Sequence, residues 1–139
     1  MNSQFRKFGT FFVLPIVCLV LLTACGPKTV QVSLGQYEMS ASPASAKAGE
    51  IVFVVSNNAE VLVHEFVIVR SELGAGELTV GPDNIVDELQ MDVVDEIEDM
   101  EPGASAELKV TLEAGHYILL CNIEDHYGLG MHADFNVLP

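Results

Sequence analysis

Three side chains that bind soft metal ions lie at five-residue intervals near the end of the chain. They are Cys121, His126 and Met131, in a segment whose glycines at 128 and 130 permit a tight loop. A thiolate, an imidazole and a thioether are the ligand types of a type 1 copper site, which combines one Cys and two His in a plane with a weak axial Met. The spacing therefore predicts a copper site that needs a second histidine from elsewhere.

His64 is the obvious second histidine. It lies in the apolar run from Val61 to Val69, where an unpaired imidazole would be costly to bury. Each of these residues alone is more often an ordinary core residue than a ligand. Taken together in one chain, the four residues favour a metal site.

The elements that must position these residues read as β-strands. Seven segments rich in Val, Ile, Leu, Phe and Tyr are bounded by turn-forming residues, namely Val30 to Leu34, Tyr37 to Ser40, Ile51 to Ser56, Val61 to Val69, Ala106 to Leu112, Tyr117 to Cys121 and Ala133 to Leu138. We expect an all-β domain, most economically a sandwich.

With these residues in place, the chain resembles a small single-domain cupredoxin of the plastocyanin and azurin type. The resemblance rests on the Cys-x4-His-x4-Met loop and the upstream His, and it covers residues 30–139. It implies a Greek-key β-sandwich that holds one type 1 copper near one end. His64, Cys121 and His126 would be equatorial ligands, and Met131 would be the axial ligand.

The chain departs from the cupredoxin pattern beside two of the expected ligands. Many cupredoxins have Asn after the first His and Ser or Thr after the Cys, whereas this chain has Glu65 and Asn122. We expect Glu65 to accept a hydrogen bond from the Asn122 amide and to link the two ligand segments. Related sequences also often have Pro-Gly where Glu124 and Asp125 precede His126.

The N-terminus has the pattern of an export signal. Arg6 and Lys7 precede an apolar run from Phe11 to Leu22 that is too short to span a bilayer comfortably. The end of this run, before Cys25, resembles the lipobox of bacterial lipoproteins. This resemblance implies cleavage of residues 1–24, lipidation of Cys25 and a short tether over 25–29, with the domain anchored to a membrane and facing the periplasm or the cell exterior.

The charge balance excludes some partners. The chain has 20 acidic and 6 basic residues, so we expect no nucleic-acid binding. Nine of the acids lie between Pro82 and Pro102, in a segment that could be a short helix or an edge strand. The segment could be merely solvated, or it could dock a basic partner.

The predicted function is transfer of single electrons between redox proteins, with no enzymatic activity. Tyr127, Leu129 and Gly130 would form an uncharged contact surface around His126, and acidic groups elsewhere would steer a partner with a basic docking face. We expect a monomer. The alternative is a copper-binding protein for delivery or storage, which would use the same ligands. A nucleophilic Cys121–His126 pair is a weaker alternative because no third orienting residue is evident.

Overall fold

The computed structural model describes residues 26, 28–87, 89 and 91–139. Nine strands form within these residues: β1 (Lys28–Leu34), β2 (Met39–Ser42), β3 (Ser45–Lys47), β4 (Gly49–Asn57), β5 (His64–Arg70), β6 (Asp92–Met100), β7 (Ser105–Leu112), β8 (Gly115–Leu120) and β9 (His132–Leu138). The signal segment 1–24 and Cys25 lie outside the described residues. Within the described part of the chain, no helix has the length and apolar character needed to cross a bilayer.

The strands form two mixed sheets. One sheet has the order β2-β1-β4-β7 and the other has the order β3-β9-β8-β5-β6. The pairs β1–β4 and β3–β9 are parallel, and the remaining neighbours are antiparallel. The predicted all-β sandwich is therefore confirmed.

The main core fills the space between the sheets. Alternate residues of β4, Ile51, Phe53 and Val55, are fully buried there, as the two-residue period of a strand requires. The opposite sheet contributes Phe66 and Phe135, among others. The Phe53 ring lies 5.5 Å from that of Phe66 and 5.2 Å from that of Phe135, so aromatic contacts join the two layers.

A second apolar cluster covers the outer face of the β8–β5 pair. Val67, Val69, Ile118 and Leu120 pack there with residues of the segment 71–91, which we call the outer segment. Its residues 88 and 90 are outside the described part. Because β5 and β8 are covered on both faces there, residues 66–69 and 117–120 form unbroken buried runs rather than an alternating pattern.

The acidic stretch contains an edge strand rather than a helix. β6 (Asp92–Met100) pairs only with β5 among the described strands and is mostly exposed. Charged side chains on a sheet edge disfavour pairing with another chain. The non-glycine residue Asp99 has a φ of 49°, at the irregularity that faces His64 and Phe66 across the sheet.

Candidate metal centre

Two neighbouring strands bring His64 and Cys121 together. His64 begins β5, and Cys121 directly follows the end of β8. These strands are antiparallel with Val67 opposite Leu120. Continuing this register places residues 64–66 of β5 beside residues 121–123, so the two side chains meet at one end of the sandwich.

The loop between Cys121 and Met131 brings in His126. The Cys121 N–H donates to the Met131 carbonyl at 3.0 Å, and the Met131 N–H donates to the His126 carbonyl at 3.1 Å. Gly130 has a φ of 113°, a conformation that glycine adopts without steric cost. These backbone hydrogen bonds close the loop, so that Cys121, His126 and Met131 lie close together. The five-residue spacing alone could only suggest this proximity.

The potential ligand atoms form a compact triangle. His64 Nδ1 lies 3.2 Å from His126 Nδ1, and Cys121 Sγ lies 3.3 Å from His126 Nδ1 and 3.9 Å from His64 Nδ1. All three residues are buried, with His126 7% exposed. Among the described residues, this is the one group of three or more His, Cys, Asp or Glu side chains that could hold a metal ion.

The triangle fits a metal ion in both size and chemistry. Metal–nitrogen and metal–sulfur bonds of about 2.0 and 2.3 Å, as at zinc, would put ligand atoms of a trigonal plane roughly 3.5–3.7 Å apart, close to the mean of the three separations. The Nε2–H of His64 donates to the Gly35 carbonyl at 2.7 Å. In a neutral imidazole this leaves Nδ1 as the lone-pair nitrogen, and Nδ1 is the atom that faces Cys121 and His126. These three residues, with Met131, form a candidate copper site.

Burial sets the protonation of the residues that line the site. It lowers the pKa of His64 and His126, because a buried imidazolium is poorly solvated. It raises the pKa of the Cys121 thiol, an effect partly opposed by the hydrogen bond from the Glu65 N–H. Metal-free protein therefore holds neutral imidazoles beside a thiol, and metal binding must release the thiol proton.

Met131 lies next to the triangle in the chain and in the core. It is fully buried and belongs to the same apolar cluster as Cys121. Its backbone bonds to both Cys121 and His126. The structure therefore ties the expected axial residue to two of the three expected equatorial ligands.

Glu65 links the two ligand segments, but its side chain bonds to the backbone of Asn122 and not to the Asn122 side chain. Its Oε1 accepts the backbone N–H of Asn122 at 2.6 Å. The Asn122 side chain faces the outer segment instead, where it accepts the Val86 N–H at 2.8 Å and donates to the Val86 carbonyl at 2.9 Å. The Glu65 backbone N–H also donates to Cys121 Sγ at 3.5 Å.

Tyr127 is not part of an exposed contact surface, contrary to the expectation. It is 4% exposed, and its hydroxyl accepts the Leu78 N–H and donates to the Ala75 carbonyl. The outer segment occupies the surface where Tyr127 would otherwise meet solvent. The exposed aromatic residue beside His126 is instead Tyr37, whose ring centroid lies 5.6 Å from that of His126 in an edge-to-face contact. Leu129 is exposed, as expected.

The structure is similar to solved structures of auracyanins and of rusticyanin. Auracyanin from Roseiflexus castenholzii superposes with a TM-score of 0.59 at 21% identity, covering 81% of this chain and 98% of that one. Auracyanin A, a "blue" copper protein from Chloroflexus aurantiacus, gives a TM-score of 0.59 at 21% identity over 81% and 99% of the chains. Rusticyanin from Thiobacillus ferrooxidans gives 0.59 at 16% identity over 79% and 77%.

The fold is that of the cupredoxins. By sequence, no protein family and no curated protein matches the chain. The cupredoxin fold is therefore established by the arrangement of strands, and the candidate copper site by the residues that this arrangement brings together.

Proposed function

We propose that the protein is a type 1 copper protein that carries single electrons between redox partners outside the cytoplasm. The observation that carries this proposal is the buried triangle of His64, Cys121 and His126 at one end of a cupredoxin sandwich. Copper bound there would supply the one-electron couple. The chain would fix the ligands and exclude water.

The route for the electron follows from the position of His126. It is the least buried member of the triangle, at 7% exposed. Tyr37, which contacts its ring, and Leu129, which follows it in the loop, are exposed uncharged residues. An uncharged surface can be desolvated by a partner at little cost, while acidic groups, including Glu124 and Asp125 before His126, steer a basic partner toward the protein. We therefore propose a transient partner with a basic face, and a monomeric carrier.

Copper delivery or storage remains the alternative use of the same ligands. The site favours the carrier because its ligands are buried and held from two strands and a loop closed by backbone bonds. Rapid electron self-exchange with no copper loss would support the carrier. Rapid transfer of copper to a metal-free acceptor would support delivery.

The decisive experiment is to add one equivalent of Cu(II) to the isolated metal-free protein and record its visible absorption and electron paramagnetic resonance spectra. We expect an intense blue or green thiolate-to-copper band, lost in Cys121→Ser. The control Ser105→Ala changes a hydroxyl on β7 in the other sheet and should keep the band. A colourless wild-type protein would overturn the proposal.

Anchoring by lipid on Cys25, after removal of residues 1–24, is proposed from the sequence. Cleavage would take away two basic and no acidic residues, changing the net charge from −14 to −16. Radiolabelled fatty acid should be incorporated into the wild-type protein and not into Cys25→Ser. Labelling of both, or of neither, would contradict the anchor.

A further inference from the structure

Glu65 lies beside two of the proposed copper ligands, His64 and Cys121. It directly follows His64 in β5, and the register of β5 and β8 places it opposite Asn122, the residue after Cys121. It is half-buried. The Glu65 carboxylate thus belongs to the residue next to His64 in the chain, and this residue faces the one next to Cys121 across the sheet.

Glu65 contacts the Cys121 segment through both its backbone and its side chain. Its N–H points at Cys121 Sγ at 3.5 Å, and its carboxylate accepts the Asn122 N–H at 2.6 Å. The second bond is short and charge-assisted, which makes it stronger than a bond to a neutral acceptor. A neutral amide at this position could make the same bond without adding a charge.

The surroundings of Glu65 add to the negative potential. Asp83 and Asp87 of the outer segment line the same surface pocket as Glu65 and Asn122. A charge in a partly dehydrated site acts more strongly than one in bulk water. Because Cu(II) carries one positive charge more than Cu(I), a fixed negative charge at this place stabilises the oxidised site more than the reduced site.

We propose that Glu65 is a positioning residue that holds the Cys121 segment against β5, and that its charge makes the site favour Cu(II) over Cu(I). The inference rests on the proposed function. Reduction here is addition of one electron from the partner or an electrode to Cu(II), which gives Cu(I) with no bond broken. Glu65 would set how readily that electron is accepted.

The test is the ratio of Cu(I) to Cu(II) affinity, together with the reduction potential, in the isolated protein. Glu65→Gln keeps the shape and an accepting oxygen but removes the charge. We expect the ratio to rise about 10- to 100-fold, from Coulomb's law at several ångströms with an effective dielectric constant of about 20. This corresponds to a potential about 60–120 mV higher.

Two controls separate charge from packing. Glu65→Asp keeps the carboxylate charge on a shorter side chain and should keep the affinity ratio near that of the wild type. Glu107→Gln removes an exposed acid from β7, in the other sheet, and should change it less than about threefold because solvent screens that charge. If Glu65→Gln fails to fold, Glu65→Asn serves as the neutral variant.

The outcomes distinguish this inference from the proposed function. A blue neutral variant with an unchanged ratio would overturn the effect proposed for the Glu65 charge and leave the copper carrier intact. Equal increases in the neutral variant and in Glu65→Asp would also overturn it, because packing rather than charge would then be responsible. A wild-type protein without a thiolate-to-copper band would overturn both.

Discussion

The Asn122 side chain should stabilise the outer segment rather than the candidate copper site directly. It makes two hydrogen bonds to the backbone of Val86, at 2.8 and 2.9 Å, and both residues are buried. Asn122→Ala removes both bonds but leaves the backbone N–H that Glu65 accepts. We therefore expect the substitution to loosen the outer segment and to change the copper spectrum less than Glu65→Gln does.

The size of the effect follows from the two groups left behind. A buried backbone N–H or carbonyl that loses its partner costs about 1–3 kcal/mol, so the loss of both amounts to about 2–6 kcal/mol. Because each 1.4 kcal/mol is a factor of ten, opening around Val86 should become about 30- to 20,000-fold more frequent. The free energy of global unfolding should fall by no more than the same amount, about 2–6 kcal/mol.

Native-state hydrogen exchange measures this opening directly. The Val86 amide should exchange faster in Asn122→Ala, while amides in β4, in the other sheet, should change little. Asn136→Ala removes an exposed asparagine from β9 and serves as the matched control. Unchanged exchange at Val86, or an equal change in the control, would refute the reasoning.

Three further predictions concern protonation, packing and charge. Because burial lowers the pKa of His64 and His126 in the folded state, the unfolded chain takes up protons first. The stability of metal-free protein should therefore fall as the pH drops below about 6.5, by up to about 1.4 kcal/mol per pH unit for each histidine. Denaturant titrations should show a flatter profile in a His64→Gln, His126→Gln variant, and a flat wild-type profile would contradict this. Tyr127→Phe removes the hydroxyl that joins Leu78 to Ala75 and should lower the free energy of unfolding by about 1–3 kcal/mol, as measured by denaturant titration. The double variant Glu124→Pro, Asp125→Gly removes two charges beside His126 and should raise the reduction potential, so equal voltammetric potentials would count against that effect.

The site could be anticipated from the sequence because its information is local. Cys121, His126 and Met131 lie in one loop, so their residue types and spacing indicate a metal site before any strand pairing is known. His64 required a further step, since it lies on a different strand. It stood out because an imidazole inside an apolar run demands a partner, and the structure provides Gly35 and the other members of the triangle.

Strand boundaries were less predictable where the pattern is short. The segment expected at Tyr37 to Ser40 begins at Met39 instead, because a turn closed by the Gly35 N–H and the Glu38 carbonyl precedes it. β3 is only three residues long and pairs in parallel with β9, about 90 residues later. Three residues carry too little periodicity to be recognised as a strand.

The contacts of the outer segment were beyond prediction because they are non-local. His116 lies in β8 and joins the Ser71 carbonyl to the Asp134 carboxylate at 2.8 and 2.9 Å. The same carboxylate accepts the Ala75 N–H at 2.8 Å. No short pattern in the sequence indicates that Ala75, Leu78 and Val86 of the outer segment pack on one face of a sheet.

This covering explains how a small domain can hold the proposed copper ligands in one geometry. The triangle lies where two strands buried on both faces come to an end, and well-packed side chains there have little freedom to shift. The Glu65 carboxylate accepts a hydrogen bond from the Asn122 backbone N–H on one side, and the Val86 N–H donates to the Asn122 side chain on the other. A site held from both sides would keep its ligands in place in both oxidation states of the proposed copper, so that little rearrangement would oppose the proposed electron transfer. Loosening the outer segment should therefore slow electron self-exchange more than it changes the reduction potential, whereas removing the charge of Glu65 should do the reverse.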